Sequence, residues 1–359
     1  MKMFTIGPVQ MYPSTATVRA KGFPYFRTAE FGDLVTSNLK MLSKYLNTSM
    51  PNGIIYLAAS GTGAMEAVVE NCATPQDKVL VINGGTFGRR FVELLLHHGV
   101  PCDSINLRWD EALTAAHLAP FDDKGFKMLF VNLHETSSGQ LYDISLLSEF
   151  AKRNEMMLIV DAISTFLADE YNMERFGIDV TIISSQKGLC LSPGMSMVAF
   201  SQRMVDKINT MQKTASKYFD FKDYLVNISR GQTPYTPPVC VMMELQDMLA
   251  MIEREGGVSA RLKTVAAKAA YFRRKAVERG FVIPDYPLSN CLTPLYFANI
   301  DAEKVIHRLV EKHRIYVNPC GGKLAHRLFR VAHIGNTTIA DIDDLLEKMV
   351  EVVEEIGHD

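Results

Sequence analysis

The sequence predicts an α/β fold: three layers built on a mostly parallel sheet with helices on both faces, followed by a smaller α+β C-terminal domain. Three observations carry this reading. Apolar runs of strand length alternate with helix-period segments through the first two thirds of the chain, and such continuous runs mark strands buried on both faces. A strand, a glycine turn and a helix follow one another at 53–73, as in parallel α/β units. After about residue 250 short strand-like pieces and amphipathic helices replace that rhythm.

A chain of 359 residues is too long for one average domain. We expect an N-terminal arm at 1–15, a large domain at 16–248 and a small domain at 249–359. A formal charge of −2 offers no field for nucleic acid or an anionic membrane. No apolar run reaches the roughly 18 residues of a membrane span, and the first residues lack a secretory pattern. The cysteines (72, 102, 190, 240, 291 and 320) are scattered and form no C-x-x-C pair, which predicts reduced thiols and a cytoplasmic location. His134-Glu135 continues into Thr136-Ser137-Ser138, so no zinc spacing develops, and no G-x-S-x-G serine elbow is present. No metal site is expected.

Taken in order, Gly7-Pro8 marks a turn and 32–47 has helical period. Gly53 to Ser60 reads as a strand, Ser60-Gly61-Thr62-Gly63 as a small-residue turn, and 64–73 as a helix. Free backbone N–H groups and the helix dipole would favour an anion at this turn, and a tight turn without a ligand is the other reading. It is a poor dinucleotide fingerprint, because Glu66 stands where a third glycine belongs and the next strand ends in Asn83 rather than an acid. Strands follow at 79–82, 128–133, 156–161 and 180–184, with helices at 88–98 and 145–154. The run 196–200 is expected as an antiparallel edge strand, since the gap after Gly188 is too short for a crossover helix. Segment 203–230 is polar and mixed. Helices are expected at 239–256, 259–279, 301–313 and 338–356, and strand-like pieces at 281–283, 292–297, 315–317 and 328–332.

Two residues point to chemistry. Asp161 ends an apolar strand, where a carboxylate needs a partner such as a helix cap, a buried cation or a cationic ring nitrogen. Lys187 lies just past the end of 180–184, where desolvation would lower its pKa and free an amine to attack a carbonyl. Parallel strand ends point one way, so both can share a cleft with Ser60-Gly61-Thr62. An anion cradle, an amine and a carboxylate match the phosphate, aldehyde and ring nitrogen of pyridoxal phosphate.

At this point the sequence resembles the class-V aminotransferases of fold type I, particularly the alanine–glyoxylate or serine–pyruvate and the 2-aminoethylphosphonate–pyruvate enzymes. The resemblance spans nearly the whole chain. It is carried by Ser60-Gly-Thr-Gly-Ala-Met-Glu-Ala, Asn83-Gly-Gly-Thr-Phe-Gly-Arg-Arg, Glu135-Thr-Ser-Ser-Gly, Val160-Asp-Ala-Ile-Ser, Ser184-Ser-Gln-Lys-Gly and Phe329-Arg-Val-Ala-His-Ile-Gly, in the family's order.

By this resemblance, Lys187 would form the internal Schiff base with pyridoxal 5'-phosphate and later shuttle a proton. Asp161 would hold the ring nitrogen, and Ser60, Gly61, Thr62 and Gln186 the phosphate. Phe87 would stack on one ring face, Ile163 would pack on the other, and Thr136 would bond near the ring hydroxyl. Tyr235 and Thr236 would reach the neighbouring subunit's phosphate, implying a homodimer. Arg330 would clamp the substrate carboxylate.

Departures from the family's pattern are present too. Ile6-Gly7-Pro8 stands where the family has Pro-Gly-Pro, and Gly7 is expected on the substrate side. The family's histidine stands two places before its Glu-Ser/Thr motif, whereas His134 is adjacent to Glu135. Arg19, Arg27 and Lys217 are candidate anion contacts or solvated surface.

The implied reaction is ping-pong transamination from alanine, serine or 2-aminoethylphosphonate to pyruvate or glyoxylate. The alternatives are a lyase or a cysteine desulfurase, for which Cys320 would be the nucleophile, and a non-catalytic binding module.

Overall fold

The computed structural model describes residues 1–211 and 214–358. Its strands are β1 (Lys2–Phe4), β2 (Ile54–Leu57), β3 (Val79–Asn83), β4 (Cys102–Asn106), β5 (Met128–Asn132), β6 (His134–Glu135), β7 (Gln140–Leu141), β8 (Met157–Asp161), β9 (Ile178–Ser184), β10 (Ser196–Phe200), β11 (Leu292–Tyr296), β12 (Ile315–Pro319) and β13 (Leu328–Ala332). A seven-stranded sheet has the order β2-β10-β9-β8-β5-β3-β4, and a four-stranded sheet has the order β1-β12-β13-β11.

The large sheet is parallel except for β10, which runs antiparallel to both of its neighbours. The expected edge position of 196–200 is therefore corrected. Ser196 pairs with Leu57 on one side and with Ser184 on the other, so β10 is internal and β2 takes the edge. Two reversals restore direction, so β2 ends on the same side of the sheet as β8 and β9.

Most predicted helices form with ends shifted by a few residues. At 61–72 the start moves forward: the glycines of the turn belong to the helix, and Ser60 is its N-cap, accepting from Gly63 N–H at 3.2 Å. Segment 203–230, apart from 212–213, which lie outside the described residues, contains helices Gln202–Thr210 and Phe221–Ile228. At 281–283 only Val282 pairs, through an isolated bridge to Tyr296. Four strands were not foreseen: β1, β4 and the short hairpin pair β6 and β7. β4 is a polar edge strand whose sequence Cys-Asp-Ser-Ile-Asn carries no apolar run, and β1 joins the small sheet by pairing with β12.

The packing forms two apolar cores. One surrounds the large sheet, and the other lies between the small sheet and its helices, with Phe272, Leu295, Leu309, Phe329 and Leu345 buried in it. Between the sheets stands the β6–β7 hairpin. Tyr286 donates to Ser138 O at 2.6 Å, and Leu141 N–H donates to Pro287 O at 2.9 Å. Arg330 on β13 reaches across to donate to Thr136 O at 2.7 Å. Among the described residues no helix is long and apolar enough to cross a membrane.

Candidate active site

The ends of β2, β8 and β9 converge on a cavity of about 140 Å³, lined by Ser60, Gly61, Thr62, Thr136, Asp161, Ile163, Ser164, Gln186 and Lys187. Lys187 and Asp161 thus face the same space, as the parallel strand ends require. Lys187 is half-buried, and its Nζ has no hydrogen bond among the described residues. Burial pulls its pKa below the ordinary lysine value. Asp161 is buried, and burial pushes its pKa up to about 6 although Ile163 N–H donates to its Oδ1 at 2.8 Å. Burial is the larger influence on each group, and their mutual attraction opposes it.

Ser60, Gly61 and Thr62 occupy the N-terminus of helix Gly61–Cys72, where unpaired N–H groups favour an anion. Gly61 leaves room for the neighbouring wall: a Cβ there would lie 2.6 Å from Ile163 Cδ1. Phe87 and Arg90 also line the cavity, from helix Thr86–His97. Arg90 donates to Thr62 Oγ1 at 3.0 Å, and its guanidinium lies 4.8 Å from the Phe87 ring centre. Sequence reasoning assigned Arg90 no role. Its place one helical turn beyond Phe87 was the available signal.

Glu135 was equally unassigned. This fully buried carboxylate accepts from Phe87 N–H at 3.2 Å, Gly88 N–H at 3.1 Å and Asn132 Nδ2 at 3.0 Å, and from the Ser137 hydroxyl. A negative group at the start of helix Thr86–His97 satisfies its free N–H groups and fixes Phe87 at the cavity wall. Gly85 makes the approach possible, because a Cβ there would lie 2.6 Å from the Glu135 carboxyl carbon.

Gly7 sits directly over the amine: a Cβ on it would lie 2.8 Å from Lys187 Nζ. The arm is held by Ile6 N–H donating to Asn318 Oδ1 at 2.6 Å. Arg330 is buried. It donates to the carbonyls of Thr136 and Pro319, and its Nε has no partner among the described residues. Arg330 also adds a positive field at Lys187, but it does not line the cavity itself. Cys320 is buried with its thiol directed at Ser137 O at 3.3 Å, and burial pushes its pKa up. That is unlike the exposed thiolate a desulfurase needs.

Tyr235 and Thr236 do not reach this cavity. Tyr235 lines a separate open cleft of about 840 Å³ with Arg27, Lys217 and Arg230, donating to Lys217 O at 3.0 Å, and Thr236 is exposed. That cleft is larger, but it holds no counterpart of the paired amine and acid. Of the extra anion candidates, Arg19 pairs with buried Glu244 at 2.6 Å, Arg27 donates to Thr233 O at 2.7 Å, and Lys217 pairs with Asp223. All six cysteines are free.

Comparison with known proteins agrees with this chemistry. Residues 25–342 match the family described as aminotransferase class-V. The chain is 29% identical over 98% of its length, and 93% of the relative's, to a protein of Anabaena cylindrica described as the 42 kDa subunit of a soluble hydrogenase. It is 27% identical to an L-aspartate–glyoxylate aminotransferase of Paracoccus denitrificans, covering 88% of this chain and 81% of that one. An alanine–glyoxylate aminotransferase structure from Nostoc sp. superimposes with a TM-score of 0.91 at 25% identity, covering 98% of this chain and 94% of that one. The chain belongs to the class-V aminotransferase family, and it is a pyridoxal-phosphate-dependent enzyme.

Proposed function

We propose that this enzyme transfers an amino group from a small amino acid or aminoalkylphosphonate (alanine, serine or 2-aminoethylphosphonate) to a small 2-oxo acid, pyruvate or glyoxylate, in ping-pong order. One observation carries the reading: a desolvated lysine amine without a hydrogen-bond partner shares a cavity of about 140 Å³ with a buried acid and a helix N-terminal anion cradle. This donor set fits pyridoxal phosphate. When bound, the cofactor supplies a carbonyl for amine exchange and an electron sink for the neighbouring carbon.

In this reading Lys187 Nζ is the nucleophile, and once free it carries the proton removed from the substrate α-carbon. Asp161 holds a proton on the ring nitrogen. Ser60, Gly61, Thr62 and Gln186 hold the phosphate, and Arg90 adds its charge. Phe87 and Ile163 close the two ring faces and exclude water. Arg330 receives the substrate carboxylate, with Gly7 above the amine keeping the substrate side shallow. The relatives named for glyoxylate support a small oxo-acid acceptor.

Tyr235 and Thr236, remote from their own chain's cavity, serve the partner's in a homodimer, and the enzyme acts in the cytoplasm. The chain divides into an arm (1–15), a large domain (16–248) and a small domain (249–359). Cys320 argues for transamination over desulfuration, because its thiol is buried and protonated.

A half-reaction screen tests this. Candidate donors are added singly to the cofactor-loaded enzyme while its visible absorbance is followed. Bleaching by alanine, serine or 2-aminoethylphosphonate, restored by pyruvate or glyoxylate and absent in Lys187→Ala, is expected. Bleaching confined to larger donors refutes the substrate class.

A further inference from the structure

A row of polar side chains runs from the cavity wall inward, and the roles above leave two of its members, His134 and Ser164, unexplained. His134 is buried, and its Nδ1 lies 2.9 Å from Ser164 Oγ. Ser164 Oγ lies 3.2 Å from Thr136 Oγ1. Ser164 and Thr136 both line the cavity, and His134 sits behind them. The far ring nitrogen, Nε2, is buried with no partner among the described residues. Burial, with the positive charges of Lys187, Arg330 and Arg273, pushes the pKa of His134 down to about 3. The ring is therefore neutral at any pH where the enzyme works.

A neutral imidazole carries one proton, and its surroundings decide which nitrogen holds it. A proton on Nε2 would leave an N–H donor without an acceptor, in a region where the surrounding charges are positive. A bare lone pair at that nitrogen is attracted by the same charges. The proton therefore belongs on Nδ1, which donates to Ser164 Oγ. The Ser164 hydroxyl then donates to Thr136 Oγ1. Thr136 is left with its own proton to give. Its protein acceptor, the His134 carbonyl, lies at 3.4 Å, near the limit of a hydrogen bond. Each donor in such a row strengthens the next.

We propose that His134 and Ser164 are positioning residues that turn Thr136 into a fixed hydrogen-bond donor for an oxyanion bound in the cavity, the ring oxygen of pyridoxal phosphate. This rests on the reading of the cavity as the cofactor site. Neither residue touches the reacting atoms. They act through the direction of the Thr136 hydroxyl.

The test uses full-length protein, with pyridoxal phosphate as the titrant. Its dissociation constant and the pH midpoint of the bound cofactor's visible band are measured for wild type, Ser164→Ala, His134→Leu and His134→Asn. Loss of the donor row weakens binding about tenfold, the size of a hydrogen bond to a charged group. It also raises the midpoint by about one unit, because the oxyanion loses its donor. The asparagine amide can place an N–H near the position of Nδ1, so His134→Asn keeps both values near wild type while His134→Leu does not. If His134→Leu does not fold, Ser164→Ala and His134→Asn carry the test alone. A Ser164→Ala protein with wild-type affinity and midpoint overturns the inference. A wild type that takes up no pyridoxal phosphate overturns the underlying site reading instead.

Discussion

Replacing Asp161 by asparagine should make the cofactor-free protein more stable at neutral pH. Asp161 is buried, and burial raises its pKa from 3.8 to about 6. A carboxyl whose pKa is higher in the folded state contributes most stability below its unfolded value and loses it as pH rises through the folded value. Above pH 6 the native protein therefore carries a penalty of about two pKa units, or about 3 kcal/mol. Asparagine is never charged, and its carbonyl can still accept from Ile163 N–H as Oδ1 does at 2.8 Å. Urea unfolding of the cofactor-free proteins at several pH values measures the difference. The variant should exceed wild type by about 3 kcal/mol at pH 8, and the gap should close below pH 4. A variant less stable than wild type at pH 8, or a gap independent of pH, would show that burial does not penalise the charge on Asp161. The same substitution should nearly abolish transamination, because a neutral amide cannot hold a cationic ring nitrogen.

Other substitutions probe separate parts of the site. Gly7→Ala places a methyl group 2.8 Å from Lys187 Nζ, the far end of a flexible side chain; kcat should fall about tenfold or more while the melting temperature hardly moves. Arg330→Lys keeps the charge but loses the fork, and steady-state assays should show KM for the amino donor and the oxo acid rising about tenfold. Glu135→Gln sets an amide N–H₂ against backbone donors at 3.1 and 3.2 Å; unfolding should show a loss of about 2 kcal/mol, with weaker cofactor binding as Phe87 loosens.

Much of this was legible in residue order because the chemistry sits at strand ends. A buried strand announces itself by an unbroken apolar run, and a polar residue closing such a run stands out. Asp161, Lys187 and the Ser60 turn were therefore visible without coordinates. β4 was not visible, because an edge strand needs no apolar run and its polar sequence looks like a loop. The place of β10 was misread because sequence gives a strand's direction through its connection but not both of its neighbours. Glu135 and Ser164 were passed over because they act on neighbours close only in space: the partners of Glu135 lie on a helix about fifty residues earlier.

The position of Gly7 bears on when the enzyme becomes competent. Gly7 follows strand β1, which among the described residues pairs only with β12, and the adjoining Ile6 is pinned by Asn318. The ceiling above Lys187 thus depends on a contact between positions 312 residues apart, and such long-range closures form late. During synthesis the large sheet can assemble around an uncovered amine well before β12 has left the ribosome. On the proposed reading, in which that ceiling shapes the substrate side, substrate discrimination is acquired last.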